Sequence, residues 1–307
     1  MTADAAPAAA SEDDTRPGNS IEALARLPVA PVRKPWQWGS TAVVLVLLAL
    51  LLFSVATNEN LGWPVVGEYL FGAEILQGVG WTIVLTVLCM VLATVLGVVI
   101  AVMRTADNRV LSAAASLYLW FFRGTPLLVQ LIFWFNLALV FPLLGPAVFL
   151  GESAGGIDTN QAINWFVAAL LAFGLHEAAY MSEIVRGGFL AVDRGQSEAA
   201  DSLGMTGTQA LRRVVLPQAL RVIVPPSMNQ FVNLFKATSL VAFVSGQDLL
   251  SSVQHVYANN YEVIPLLIVA SLWYLVLVSL ATLGQHFLER RLNQGYGHTA
   301  ATSKGAK

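Results

Sequence analysis

Six stretches of this chain are apolar over lengths that approach or exceed what a hydrocarbon layer of about 30 Å requires, and polar segments separate them. Residues 40–57 and 79–103 carry no charge at all. The first is near the lower limit for crossing, and the second is long enough to cross with tilt, with Gly80 and Gly97 as points where a neighbouring helix could come close. The third stretch is interrupted. Residues 110–122 are moderately apolar, Arg123, Gly124, Thr125 and Pro126 intervene, and 127–144 is uncharged again. We expect 110–122 to be an interfacial lead-in with the main crossing after Pro126, a single long kinked helix being the alternative. The fourth, 162–185, carries His176, Glu177 and Glu183 in its second half, and the sixth, 263–287, is closed by Arg290 and Arg291. The fifth, 226–246, is the most polar, with Asn229, Gln230, Asn233, Lys236, Thr238 and Ser239 among apolar neighbours, so its polar groups should face protein or a water-filled path. The pattern predicts an all-α integral membrane protein, a multi-span helical bundle with six transmembrane helices.

The segments between the spans give an independent check. If the N-terminus lies inside, the inner segments hold Arg33, Lys34, Arg104, Arg109, Arg186, Arg194, Arg212, Arg213, Arg221, Arg290 and Arg291. The outer segments, 58–78, 145–161 and 247–262, contain no Lys or Arg and carry only acids, among them Glu59, Glu68, Glu74, Glu152, Asp158, Asp248 and Glu262. This is the asymmetry of the positive-inside rule, and it puts both termini in the cytoplasm.

It also puts residues 198–217, E-A-A-D-S-L-G-M-T-G-T-Q-A-L-R-R-V-V-L-P, in the cytoplasm. Glu198, Ala199 and Ala200 should begin a short helix that Gly204 breaks, where a positive φ costs least. Thr206 and Gln209 have the spacing of a capping box for a second helix. Leu211, Val214 and Val215 would share its apolar face while Arg212 and Arg213 point elsewhere, and Pro217 after Leu216 ends that helix or opens the next.

Composition agrees with a membrane protein: of 307 residues 56% are hydrophobic and 12% charged, and the single cysteine, Cys89, lies in an apolar run where packing is its expected role. The net charge of −2 says little where sidedness matters more. Residues 1–35, rich in Ala, Pro and acids, read as a disordered cytoplasmic tail, and 292–307 as a second one. Residues 36–77 would hold the first span and an outer loop, and 78–291 the main transmembrane domain. No G-x-x-x-x-G-K-[ST] run occurs, so the chain is not expected to bind ATP by that route. Nothing points to nucleic acid.

Two cations fall at or inside the membrane boundary, Arg123 and Lys236, and each must pair, snorkel or meet a ligand carboxylate. Glu177 could hold a substrate ammonium or make an interhelical hydrogen bond. Glu183 and Arg186, three apart, should form a local ion pair. His176 and Glu177 are adjacent in a helix and diverge by about 100°, poor geometry for one metal ion, and no metal site is expected. Asn229, Asn233 and Lys236 share one helical face, which would suit either a lined path or a helix packed at a dimer axis.

The run E-A-A, three residues, Gly, nine residues, V-V-L-P resembles the EAA loop of permease subunits of ATP-binding cassette importers, with Val214 where the family usually has Ile. Together with F-F-R-G-T-P at 121–126, A-Y-M-S-E-I-V-R-G-G at 179–188, Gly195-Gln196, Pro225-Pro226, Asn229 and K-A-T-S-L at 236–240, it looks like the polar amino acid subgroup. The resemblance covers about residues 78–291. It implies a type I importer permease fold and a substrate such as glutamate, glutamine, arginine, histidine or cystine. It implies a loop at Glu198, Ala199, Ala200, Gly204, Arg212, Arg213, Leu216 and Pro217 that docks on a separate ATPase subunit holding ATP and Mg. It further implies a second permease, identical or related, and an extracytoplasmic amino-acid-binding protein. The family core has five spans, so residues 36–77 are an addition. Two rivals have different chemistry: a proton-driven secondary transporter using His176, Glu177 and Glu183, and an uncoupled channel or scaffold.

Overall fold

A computed structural model describes residues 35–151 and 154–293. The tails expected at 1–35 and 292–307 fall outside the described residues, apart from the first residue of the first helix and the last two of the final one.

The chain divides into two compact units, the first ending at Asn58. Its described part is one helix, α1 (Pro35–Thr57), uncharged and with its apolar side chains from Val43 to Val55 exposed within the unit. The second unit begins at Glu59 and holds α2 (Trp63–Tyr69), α3 (Ala73–Thr105), α4 (Arg109–Gly124), α5 (Leu127–Phe135), α6 (Ala147–Leu150), α7 (Thr159–Ala162), α8 (Trp165–Leu190), α9 (Arg194–Ser202), α10 (Gly207–Ala210), α11 (Leu216–Ala237), α12 (Leu249–Asn260) and α13 (Val263–Asn293). One two-stranded antiparallel hairpin, β1 (Leu143–Leu144) with β2 (Ile157–Asp158), lies between α5 and α7. The described residues are otherwise mostly helical, as the apolar pattern requires.

Among the described residues α1, α3, α8 and α13 are long and apolar enough to cross a bilayer, and α4 with α5 would add a fifth as a bent pair. α11 has 22 residues, about 33 Å, which is long enough to cross but polar. In the second unit α8 is the central helix, packed against α3, α5 and α11. The contact with α3 is close because Gly97 has no side chain: a Cβ there would lie 2.6 Å from Met181 Cβ. The pairing expected at Gly80 is not seen, since a Cβ there would meet nothing within 4 Å. Gly78 instead faces α12, with Leu249 Cα 2.9 Å from its would-be Cβ, and one turn on Thr82 Oγ1 accepts the Leu249 N–H at 3.0 Å.

Two spans differ from expectation. The helix after Pro126 reaches only Phe135, about 13 Å, so it does not cross by itself, and the apolar run to Leu144 breaks up into a turn and the hairpin. The pair is also not one gently kinked helix, because α4 and α5 meet at 101°. Thr125, the residue before the proline, is extended (φ −110°, ψ 143°), as steric conflict with the proline ring demands. Buried Gln130 makes the corner tenable. Its Nε2 donates to Phe122 O (3.0 Å), Thr125 O (3.2 Å) and Thr125 Oγ1 (2.8 Å), taking up carbonyls that the end of α4 leaves free.

The fifth span starts ten residues before the expected Pro226, and Pro225 and Pro226 lie inside α11. Each removes one backbone donor, and Ser227 Oγ donates to Ile223 O (2.8 Å) in the same turn. Beyond Ala237 the chain tightens into a 3-10 helix, Thr238–Val244.

Candidate functional site

The segment at 198–217 is two helices joined at Gly204, as its residues predict. The first, α9, begins four residues before Glu198, because Asp193 caps it through a bond from the Gly195 N–H (2.7 Å). It ends where Gly204 takes φ 74°, with Gly204 N–H on Asp201 O (2.9 Å) and Met205 N–H on Ala200 O (3.1 Å). Thr206 and Gln209 then form the full capping box: the Thr206 N–H donates to Gln209 Oε1 (2.9 Å), and the Gln209 N–H to Thr206 Oγ1 (3.4 Å).

Beyond the capping box the chain does something that residue patterns did not disclose. α10, a single π turn at Leu211–Val215 and α11 run on without a non-helical residue, so the helix capped by Thr206 continues to Ala237. Pro217 neither ends a helix nor starts a separate one; it sits in the second position of α11. Lacking an N–H, it cannot close an ordinary turn, and the wider turn, with Leu216 N–H on Leu211 O, absorbs the mismatch. The changed angular step leaves Leu211 44% exposed while Val214 and Val215 are half-buried, so the three do not form one buried face. Gln218 Nε2 reaches Gln196 Oε1 (3.1 Å), tying the start of α9 to the start of α11.

The surface of this loop mixes charge and exposed apolar atoms. Glu198, Ala199, Arg212, Arg213 and Pro217 are exposed, Leu216 is half-buried and Leu203 is 82% exposed. Ala200, expected on the contact surface, packs inside the loop at 3% exposure; of the alanine pair Ala199 faces outward.

The intramembrane polar residues separate into distinct environments. Glu177 on α8 is 7% exposed, and its Oε2 has no hydrogen-bond partner. His176 Nδ1 faces Gln130 Nε2 at 3.3 Å, with its ring 5.2 Å from that of Tyr180. Glu183 accepts from Arg186 (2.8 Å), as its spacing predicts, and also from Arg104 at the end of α3. No hydrogen bond links His176, Glu177 and Glu183 to one another among the described residues, and no group of three His, Cys, Asp or Glu that could hold a metal occurs among them. Asn229, Asn233 and Lys236 share the exposed face of α11, Asn229 Oδ1 accepting from Gln285 of α13 (3.0 Å). Arg123 is exposed, with its guanidinium carbon 5.3 Å from the Tyr180 ring centre.

Residues 93–294 match the family described as binding-protein-dependent transport system inner membrane component. The chain belongs to this family. Among its relatives, the arginine transport system permease protein ArgU of Corynebacterium glutamicum is 40% identical over 285 residues, covering 92% of this chain and 88% of that protein. That share is too large to leave out α1, so the match extends over residues 35–57. The L-cystine transport system permease protein TcyB of Bacillus subtilis is 37% identical over 71% of this permease and 86% of its own length. A crystal structure of an amino acid ABC transporter with histidines matches with TM-score 0.60 at 32% identity, covering 71% of this chain and 94% of that one. The inward-facing MetNI methionine transporter matches with TM-score 0.55 at 21% identity, which speaks for the fold alone. The type I importer permease fold follows from these likenesses.

Two positions with evident structural roles were not singled out by sequence reasoning. Gln130 is a lone amide in an apolar run just after the R-G-T-P corner, and that was its signal. Asp248 is read from sequence only as an outer acid. It is fully buried and caps α12, accepting from the N–H of Leu250 (3.2 Å) and Ser251 (3.1 Å), from Ser251 Oγ, and from Tyr274 OH (3.2 Å). An Asp before an apolar run, with Ser three residues on, is a readable N-cap signal.

Proposed function

We propose that this permease is the transmembrane subunit of an ATP-driven importer of polar amino acids, and that residues 198–217 couple it to a separate ATPase. The arginine, cystine and glutamine transport named for its relatives supports the substrate class. The observation that carries the coupling role is the unbroken helical run from Gly207 to Ala237. A helix transmits displacement along its axis, so force applied at Arg212 and Arg213 reaches the Asn229, Asn233 and Lys236 stripe directly, while Glu198 and Ala199 sit on the helix before Gly204.

In this mechanism ATP and Mg are held by ATPase subunits. Closure of the ATPase pair moves the loop about Gly204, α11 moves with it, and the spans open outward to take the amino acid from an extracytoplasmic binding protein. Hydrolysis resets the cycle. Lys236 and Arg123 are candidates to meet the substrate carboxylate and Glu177 its ammonium, while Asn229 and Asn233 line the path, with a second permease copy or a related chain completing it. The basic inner segments support a cytoplasmic-membrane location with both termini inside. The proton-driven alternative finds no support in a hydrogen bond linking His176, Glu177 and Glu183 among the described residues.

The test is uptake in vesicles holding the permease with its ATPase and binding protein. Uptake that needs ATP and survives a protonophore is expected; uptake that collapses with the protonophore at constant ATP contradicts the proposal.

A further inference from the structure

A cavity of about 450 Å³ opens between the end of α3, one face of α4 and α8, lined by Arg104, Ser116, Trp120, Arg123 and Tyr180 among others. Its charge balance is uneven. Glu183 is shared by Arg104 and Arg186, and Arg186 Nε is buried without a hydrogen-bond partner, so one carboxylate serves two guanidinium groups. Arg123 adds a further cation and rests on the Tyr180 ring. Asp107, in the turn after α3, and Arg109, the first residue of α4, cancel one another in net charge. The cluster therefore keeps a surplus of positive charge.

Its depth makes that surplus costly. Tyr118, on α4 ahead of Arg123, donates to Leu175 O at 2.6 Å, so the end of α4 lies beside the body of α8, a helix long and apolar enough to span the membrane. Cations at such a depth must pair, snorkel or meet an anionic ligand. The rim is suited to an amphipathic one. Trp120 is 72% exposed and Leu117 63%, and an exposed indole belongs at the level of lipid head groups.

We propose that this cavity binds an anionic phospholipid, with its phosphate between Arg104 and Arg123 and its acyl chains over Trp120 and Leu117. Guanidinium groups match phosphate oxygens in pairs, and basic pockets between membrane helices take acidic head groups in this way. The bound lipid holds α3, α4 and α8 together at the R-G-T-P corner. The phosphate then occupies Arg123 in place of a substrate carboxylate and leaves that role to Lys236.

Native mass spectrometry of the full chain, purified in mild detergent with equal phosphatidylglycerol and phosphatidylcholine, tests this without measuring transport. The wild type should retain phosphatidylglycerol preferentially. Arg123→Gln should lower that retention about fivefold, the factor that corresponds to about 1 kcal/mol per arginine near the membrane surface. Arg123→Lys should keep most of it. Ser116→Glu, at an exposed helix position, should expel the lipid while leaving both arginines in place, and it serves if Arg123→Gln fails to fold. Equal retention of the two lipids by the wild type, or unchanged retention in both Arg123→Gln and Ser116→Glu, overturns the proposal. So does displacement of the lipid by inorganic phosphate or by a free amino acid, which would mark a general anion site or a substrate site instead.

Discussion

Thr206 and Gln209 cap each other, with the backbone N–H of each donating to the side chain of the other, at 2.9 Å into Gln209 and 3.4 Å into Thr206. This pair fixes where the long helix that runs on to Ala237 starts. Thr206→Ala should remove about 1 kcal/mol of local stability. Amide hydrogen exchange should rise across residues 207–215 and remain unchanged in α3 and α8, and substrate-stimulated ATPase activity of the assembled complex should fall in parallel.

Gly97 and Gly80 make a matched pair on one helix. Gly97→Val must push against Met181, whose backbone carbon would lie 3.1 Å from the new Cβ, whereas a Cβ added at Gly80 meets nothing within 4 Å. Overpacking of this kind costs about 1–3 kcal/mol. Thermal unfolding in detergent should show a clear drop in midpoint for Gly97→Val and little change for Gly80→Val.

That contrast marks what residues alone disclose. Apolar runs locate α3, α8 and α13 because burial in lipid needs length and apolarity and little else. Gly204 and the Thr206–Gln209 box were readable because they are local rules, satisfied within a few residues. Which glycine meets a neighbour depends on the rotation of two helices, which no local pattern carries. The corner at Pro126 depends on the hydrogen bonds of Gln130, and α11 runs on through Pro225 and Pro226 although each removes a backbone donor, so the spans they interrupt were mislocated. The Asn229, Asn233 and Lys236 stripe was legible from helical period; what covers it in an assembly was not.

Asp248 gives the fold a pH dependence. Burial pushes its carboxyl above the usual carboxylate range, against the lowering effect of the bonds from Ser251, Leu250 and Tyr274. The folded chain thus holds this proton more tightly than the unfolded chain. The contribution is fully present below the ordinary Asp value and is lost as pH rises through the raised one. Asp248→Asn keeps a capping side chain and removes the titration. The thermal midpoint of the wild type should fall relative to Asp248→Asn as pH rises out of the acid range, with the two converging at low pH.

Lys236 lies on the exposed stripe of α11, so its removal should disturb the path more than the fold. Lys236→Ala should leave the yield of assembled complex unchanged and weaken transport of an acidic or neutral amino acid. Loss of assembled complex in proportion to loss of transport would assign Lys236 to packing.

Gly204 is where the coupling account is most exposed to test. It holds φ 74°, and a Cβ added there meets nothing within 4 Å, so a substitution acts first through backbone strain, on the order of 1–2 kcal/mol for an L residue. Asn tolerates this conformation and a β-branched residue does not. The direct measurement is substrate-stimulated ATPase activity of the reconstituted complex carrying Gly204→Val, beside Gly204→Asn. Stimulation lost in the first and largely kept in the second, with equal assembly, is the predicted result; full stimulation in Gly204→Val would contradict the coupling role of this loop.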